Sequence, residues 1–154
     1  MKSRELLLKQ TDEKLLKLGQ VRDIQIPRPG WIHTIRKSLK MSLRQLGYKM
    51  GITLQSVRDL ETREMNQTVS LKALQKFADA MGMTFVYGFI PDEGTLENLI
   101  QKRAEILARQ IIIKTDKNMK LEAQGLTDEM IQKRIREKRD EITAEMPGYL
   151  WDQI

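Results

Sequence analysis

Residues 42–61, SLRQLGYKMGITLQSVRDLE, read as two short helices joined by a tight turn. Ser42 carries the side-chain oxygen that an N-cap needs, Leu43, Leu46 and Met50 recur on one helical face, and Gly51 stands where a helix ends in a residue tolerant of positive φ. Thr53 caps a second helix at once. Within it Val57 and Leu60, three apart, face inward and leave Leu54, Gln55, Arg58 and Asp59 pointing elsewhere. Two helices in this order make a helix-turn-helix. On an ordinary soluble protein the outward face is merely solvated, whereas on a basic chain it can enter a DNA major groove.

The charge lies in the same place. The 154 residues carry 27 basic and 21 acidic side chains, a net +6, but residues 28–66 hold eight basic against three acidic and residues 92–154 eleven against thirteen. A local net of +5 attracts phosphate at long range and points to a nucleic-acid partner; the plain alternative is a lysine-rich surface. The composition, 40% hydrophobic, suffices for a compact core. Cysteine is absent, which excludes disulfides and thiolate metal sites and fits a reducing compartment. No apolar run approaches the ~20 residues of a membrane span, and the charges after Leu6, Leu7 and Leu8 break any signal-peptide core, so a cytoplasmic protein with no membrane partner is expected.

Outside the central motif the chain divides into three segments. Residues 1–27 form a helical arm and linker: Leu8, Thr11, Leu15 and Leu18 share a helical face up to Gly19, and the two prolines of DIQIPRPG, residues 23–30, forbid a continuous helix. Residues 28–91 form the helix-turn-helix domain. Trp31, Ile32, Ile35 and Leu39 stripe its first helix, and Ser70 caps a last helix carrying Leu71, Leu74, Phe77, Ala78 and Met81 up to Gly82. The stretch 84–90, TFVYGFI, rich in β-branched and aromatic residues, reads as one strand. With no second strand in the chain, Phe85, Val86, Tyr87 and Phe89 are expected to pair with the same strand of another subunit in a homodimer, the alternative being an extended loop packed on the core. Two such subunits would read an inverted repeat with half-sites ~10 base pairs apart.

Residues 92–154 form a C-terminal helical region. Leu96, Leu99, Ile100, Ala104, Leu107 and Ile111 follow the helical period toward Glu122, and Gly125 breaks it. Thr127 then caps a charged helix striped by Ile131, Ile135, Ile142 and Met146 and ended by Pro147. The apolar Tyr149, Leu150 and Trp151 either fold back on these helices or dock on a partner. An enzyme is not expected: there is one histidine, His33, no glycine-rich phosphate loop and no spacing that would hold a metal or other cofactor. His33, beside the apolar stripe, reads as a surface or packing residue.

Residues 31–82 resemble the lambda-repressor-like helix-turn-helix family. The resemblance implies an all-α core in which Arg36 on the first helix pairs with Glu61 at the end of the third, a structural ion pair. It also places Leu54, Gln55 and Asp59 toward bases, with Arg58 beside them. Gln suits adenine N6 and N7, Asp suits cytosine N4, and Leu suits a thymine methyl. Ser42, Arg44, Thr53 and Thr62 fall where the family holds phosphates, and Leu43 and Ser56 complete the expected DNA-binding set. Two positions depart from the pattern: Leu43 replaces a common phosphate-binding glutamine, and Gly47 replaces a common alanine at ~1 kcal/mol of helix propensity.

Over nearly its whole length the chain also resembles the bacterial mobile mystery protein A family, through Gly30-Trp31-Ile32, Ile35-Arg36, Gln45-Leu46, Leu60-Glu61, Val86-Tyr87, Leu96-Glu97, Leu121-Glu122 with Gln124, and Leu150-Trp151-Asp152. That family is associated with mobile elements and encoded beside a Fic-domain protein. The resemblance therefore implies an autoregulatory transcriptional repressor, the antitoxin-like partner of a Fic-type toxin. The alternative is an interaction module that sequesters the toxin through Leu8, Leu15, Ile135 and Trp151, with DNA binding secondary. The Fic-inhibitory pattern [Ser/Thr]-x-x-x-Glu-[Gly/Asn] is absent, the run Ser56 to Glu61 having one residue too many. RNA binding is a third possibility, but the exposed aromatic platform of single-strand readers is missing.

Overall fold

The computed structural model describes residues 2–121 and 127–153, which contain seven α-helices. They are α1 (Lys2–Leu18), α2 (Trp31–Ser38), α3 (Leu43–Met50), α4 (Leu54–Met65), α5 (Leu71–Met81), α6 (Leu96–Leu121) and α7 (Asp128–Glu145). Two 3-10 turns, Gly19–Val21 and Gly148–Trp151, follow α1 and α7. The expected break at Gly125 lies outside the described residues. No helix among the described residues is long and apolar enough to cross a membrane.

The chain forms two compact units: Asp23–Gly88, and Met1–Arg22 together with Phe89–Ile154. The first holds α2 to α5. Ile32, Leu46, Val57, Leu60 and Phe77, one or more from each helix, make its core. Helix ends are where the sequence put them. The side chains of Ser42, Thr53 and Ser70 accept from the N–H groups of Gln45, Ser56 and Ala73, and Gly51 and Gly82 take the left-handed C-cap positions. The stripe on α2 is rotated from its expected position, because Trp31 and Leu39 are exposed and Arg36 is buried in their stead.

In the second unit α6 and α7 pack along a seam of Ile100, Ala104, Ala108, Ile135 and Ile142, closed by Leu150. Ala104 and Ala108 are fully buried on α6, small side chains packed in the same cluster as Ile135 and Ile142 of α7. α1 joins by its Leu8 face and by Asp12, whose carboxylate accepts from the Leu96 and Glu97 N–H groups at 2.7 and 3.2 Å and caps α6. The C-terminal tail folds back. Leu150 is buried, its carbonyl accepts from Arg103 Nε at 2.6 Å, and Tyr149 and Trp151 stay exposed.

Residues 84–90 correct the expected strand. No strand is present among the described residues, and this stretch runs without regular structure between α5 and α6. It does not pack on a core either: Val86, Tyr87 and Phe89 are 72, 68 and 79% exposed. Phe85 and Tyr87 stack on each other instead, with ring centroids 6.0 Å apart. The physical reason is that β-branched and aromatic residues report fitness for a pleated, half-buried surface, and a lone stretch has neither partner edge nor face to cover. The all-α class stands, but the strand on which the expected dimerisation role of Phe85, Val86, Tyr87 and Phe89 was based is absent among the described residues.

Candidate nucleic-acid interface

α3 and α4 are joined by Gly51, Ile52 and Thr53. The Ile52 N–H returns to the Gly47 carbonyl at 2.9 Å, closing the turn. This closure explains Gly47. A Cβ there would stand 2.7 Å from the Ile52 carbonyl oxygen, so the alanine of the related pattern would collide with backbone. At the start of α3 the Ser42 hydroxyl and the Gln45 side chain cap each other's backbone N–H, a reciprocal capping box. Leu43 is half-buried against the core.

α4 is bolted to α2 by a buried ionic cluster. Arg36 donates from Nε to Glu61 Oε1 at 2.5 Å and from Nη2 to Oε2 at 3.1 Å, a two-pronged pair. Arg36 Nη1 also donates to the Met41 carbonyl at 2.9 Å, which ties the α2–α3 connection to the same group. His33 Nδ1 lies 2.9 Å from Glu61 Oε2; since an ionised carboxylate only accepts, that nitrogen carries the proton. Burial alone would raise the Glu61 pKa, but hydrogen bonds and charge from Arg36 and His33 outweigh it and hold the carboxyl below the usual glutamate value.

Three residues further along α4, Glu64 reaches back to the start of α2. Its Oε1 accepts the Ile32 N–H at 2.8 Å. Gly30, the N-cap of α2, has no side chain with which to cap, and its φ of 91° suits glycine. A Cβ at Gly30 would meet Glu64 Oε1 at 2.3 Å, so glycine also clears the way for the cap. Burial is the main reason the Glu64 pKa is raised; the N–H groups of Ile32 and Trp31 oppose that shift and the Glu61 charge adds to it.

These contacts reshape the surface charge. Of the three acids in residues 28–66, Glu61 is buried and Glu64 half-buried, leaving only Asp59 exposed. Of the eight bases only Arg36 is buried; Arg28, Lys37, Lys40, Arg44, Lys49, Arg58 and Arg63 all face solvent. The outside of this segment is therefore more positive than its sequence total.

Gln55, Arg58, Asp59 and Thr62 are exposed at i, i+3, i+4 and i+7, one stripe along α4, while Leu54 is half-buried at its edge. Gln55 Nε2 donates to Asp59 Oδ1 at 3.0 Å. The Thr53 hydroxyl donates to Ser56 Oγ at 2.9 Å, and Thr62 returns its hydroxyl to the Arg58 carbonyl. Among the described residues no hydrogen bond or ion pair occupies the guanidinium groups of Arg44 and Arg58. On α3, Arg44 borders an open cleft of about 630 Å³ shared with Lys40, Lys49 and an exposed Tyr48. Sequence reading took His33 for a surface or packing residue without foreseeing its bond to Glu61, and it missed Glu64 and this cleft. For Glu64 a signal existed: an N-cap glycine leaves first-turn N–H groups in need of an acceptor from elsewhere.

No family model, no curated protein and no solved structure matches the chain.

Proposed function

We propose that this protein is a sequence-specific DNA-binding transcriptional repressor that inserts α4 in the major groove. The observation that carries the reading is the helix-turn-helix segment, residues 28–66, in which seven exposed bases stand against one exposed acid and α4 carries an exposed polar stripe. Clustered cations that displace counterions from DNA supply affinity without regard to sequence, and side chains on a helix of this size reach base edges. In this reading Arg44, with the capped N-termini of α3 and α4, holds phosphates, and Gln55 reads a base. Ser42, Thr53 and Ser56 contribute mainly by fixing those helix ends. The resemblance to mobile mystery protein A adds autoregulation and a Fic-domain protein as the second partner.

The test is selection from randomised duplexes followed by binding to the selected site and to the DNA upstream of the reading frame. If each bound unit neutralises roughly 6–10 phosphates, affinity falls by about 10³–10⁵ between 50 and 200 mM salt. Arg44→Ala weakens every sequence alike, whereas Gln55→Ala relaxes one base position at ~1–3 kcal/mol. The footprint length reports how many copies bind. A protein that enriches no sequence, or binds the upstream region no better than random duplex, overturns the repressor reading.

Of the residues expected to carry the alternative, sequestration of a Fic-type enzyme, Ile135 is buried, Leu8 packs on the core and Leu15 is half-buried, which leaves Trp151, with the exposed apolar side chains Leu6, Leu7 and Tyr149 of the same unit, to support it. Co-expression with the neighbouring reading frame distinguishes the two: a complex that forms and loses all affinity for DNA favours sequestration.

A further inference from the structure

We propose that Asp59 is a positioning residue for base readout: it locks the Gln55 amide in the one orientation that accepts adenine and rejects guanine. The inference rests on the DNA-binding reading above and assigns specificity within that site. The two residues are one helical turn apart on the exposed stripe of α4, and Gln55 Nε2 lies 3.0 Å from Asp59 Oδ1. An ionised carboxylate has no proton to donate, so the Gln55 atom against it is the amide nitrogen and the amide oxygen is turned away. One N–H of Nε2 is used on Asp59. The other, together with Oε1, is left for the groove.

That remaining pair is one donor and one acceptor in fixed order. Adenine offers N7 as acceptor and N6 as donor on its major-groove edge, which matches both. Guanine offers two acceptors, N7 and O6, so one of them faces Oε1 across an unpaired, repulsive contact. An unheld glutamine escapes this by rotating its amide and turning both N–H groups of Nε2 to guanine. The Asp59 bond opposes that rotation. Discrimination thus comes from a residue that need not touch the base itself, and Asp59 acts as partner to Gln55 rather than as an independent reader of cytosine.

The experiment is binding selection on the full chain with the unmodified protein, Gln55→Ala, Asp59→Ala, Asp59→Asn and Asp59→Glu, followed by affinities for sites differing by one adenine-to-guanine exchange. The unmodified protein should prefer adenine by roughly 5–150-fold, the range of one good two-bond contact. Asp59→Ala should lower that preference to about two-fold. Asp59→Asn should do nearly the same, since an amide can bond either face of Gln55, and Asp59→Glu should restore it. In the Gln55→Ala background Asp59→Ala should change no base preference further. Both side chains are exposed, so helicity and thermal unfolding of the variants report that the fold is intact. An unchanged preference in Asp59→Ala, or a loss at a second base independent of Gln55, overturns the inference while leaving DNA binding standing. A protein that enriches no duplex overturns both.

Discussion

The two units hold their helices together by different means. In residues 23–88 the joint between α2 and α4 adds to the apolar core of Ile32, Val57 and Leu60 an ionic cluster of Arg36, His33, Glu61 and Glu64, whose members lack full access to water. In the unit made of the chain's two outer segments, the joint between α6 and α7 is an apolar seam of alanine and isoleucine, with Asp12 capping the start of α6 and Arg103 holding the Leu150 carbonyl. An apolar seam loses stability in proportion to the atoms removed. An ionic joint loses far more when one partner goes than the pair contributes net, because a buried charge is left alone. What the ionic joint provides is a fixed angle and register between α2 and the helix that carries Gln55.

The largest expected effect follows from that contrast. Glu61→Ala should destabilise residues 23–88 by about 3–5 kcal/mol by leaving Arg36 and His33 without their acceptor. Hydrogen exchange should show α2 and α4 losing protection while α6 and α7 keep theirs, and equal losses in both units would break the comparison. Next, Ile142→Ala should cost about 2–5 kcal/mol through a cavity in the seam, with exchange changing in α6 and α7 instead.

Acid should act unequally on the two joints. The Glu61 pKa is held below its unfolded value, so its contribution is present above the ordinary glutamate range and is lost as pH falls through the folded pKa. Glu64 has the reverse sign: its raised pKa makes the folded state more stable below the unfolded value and less so as pH rises through the folded one. Thermal unfolding between pH 3 and 7, a span of about four pH units around the reference value, should show a falling acid limb that Glu61→Gln flattens and Glu64→Gln steepens. A smaller effect is expected at the turn. Gly47→Ala gains ~1 kcal/mol of helix propensity but forces the Ile52 carbonyl aside, for a net loss of about 1–2 kcal/mol by denaturant melts. A gain in stability would mean that the turn yields easily.

Much of this architecture is legible because helices announce themselves locally. Ser42, Thr53, Ser70 and Thr127 each precede an apolar period, and each caps the helix that follows. The strand at 84–90 failed because composition speaks of the surface a segment would suit, whereas a strand also needs a neighbour. Burial was less legible than periodicity. Arg36 outranks Trp31 in the core because its guanidinium finds the Met41 carbonyl and the Glu61 carboxylate there, and the carboxylate, 25 residues away along the chain, was expected only through the family resemblance and not from the apolar stripe. The Gln55–Asp59 bond was within reach of the sequence, being an i, i+4 pair, yet each side chain was read there only for what it could offer a base.

The Asp12 cap carries a consequence for biosynthesis. The carboxylate and the N–H groups it holds are 84 and 85 positions apart, and the whole of residues 23–88 lies between them. A ribosome adding roughly 5–20 residues per second finishes that inserted segment about 0.4–2 seconds before it adds the first turn of α6 that closes on α1. The inserted unit can therefore fold while the first helix still waits, its leucines exposed, for a partner not yet translated. Nascent chains halted near residue 95 would display the Leu8 and Asp12 face of α1 for chaperones to cover, whereas release past α7 would let that face be taken up while Leu6 and Leu7 stay exposed.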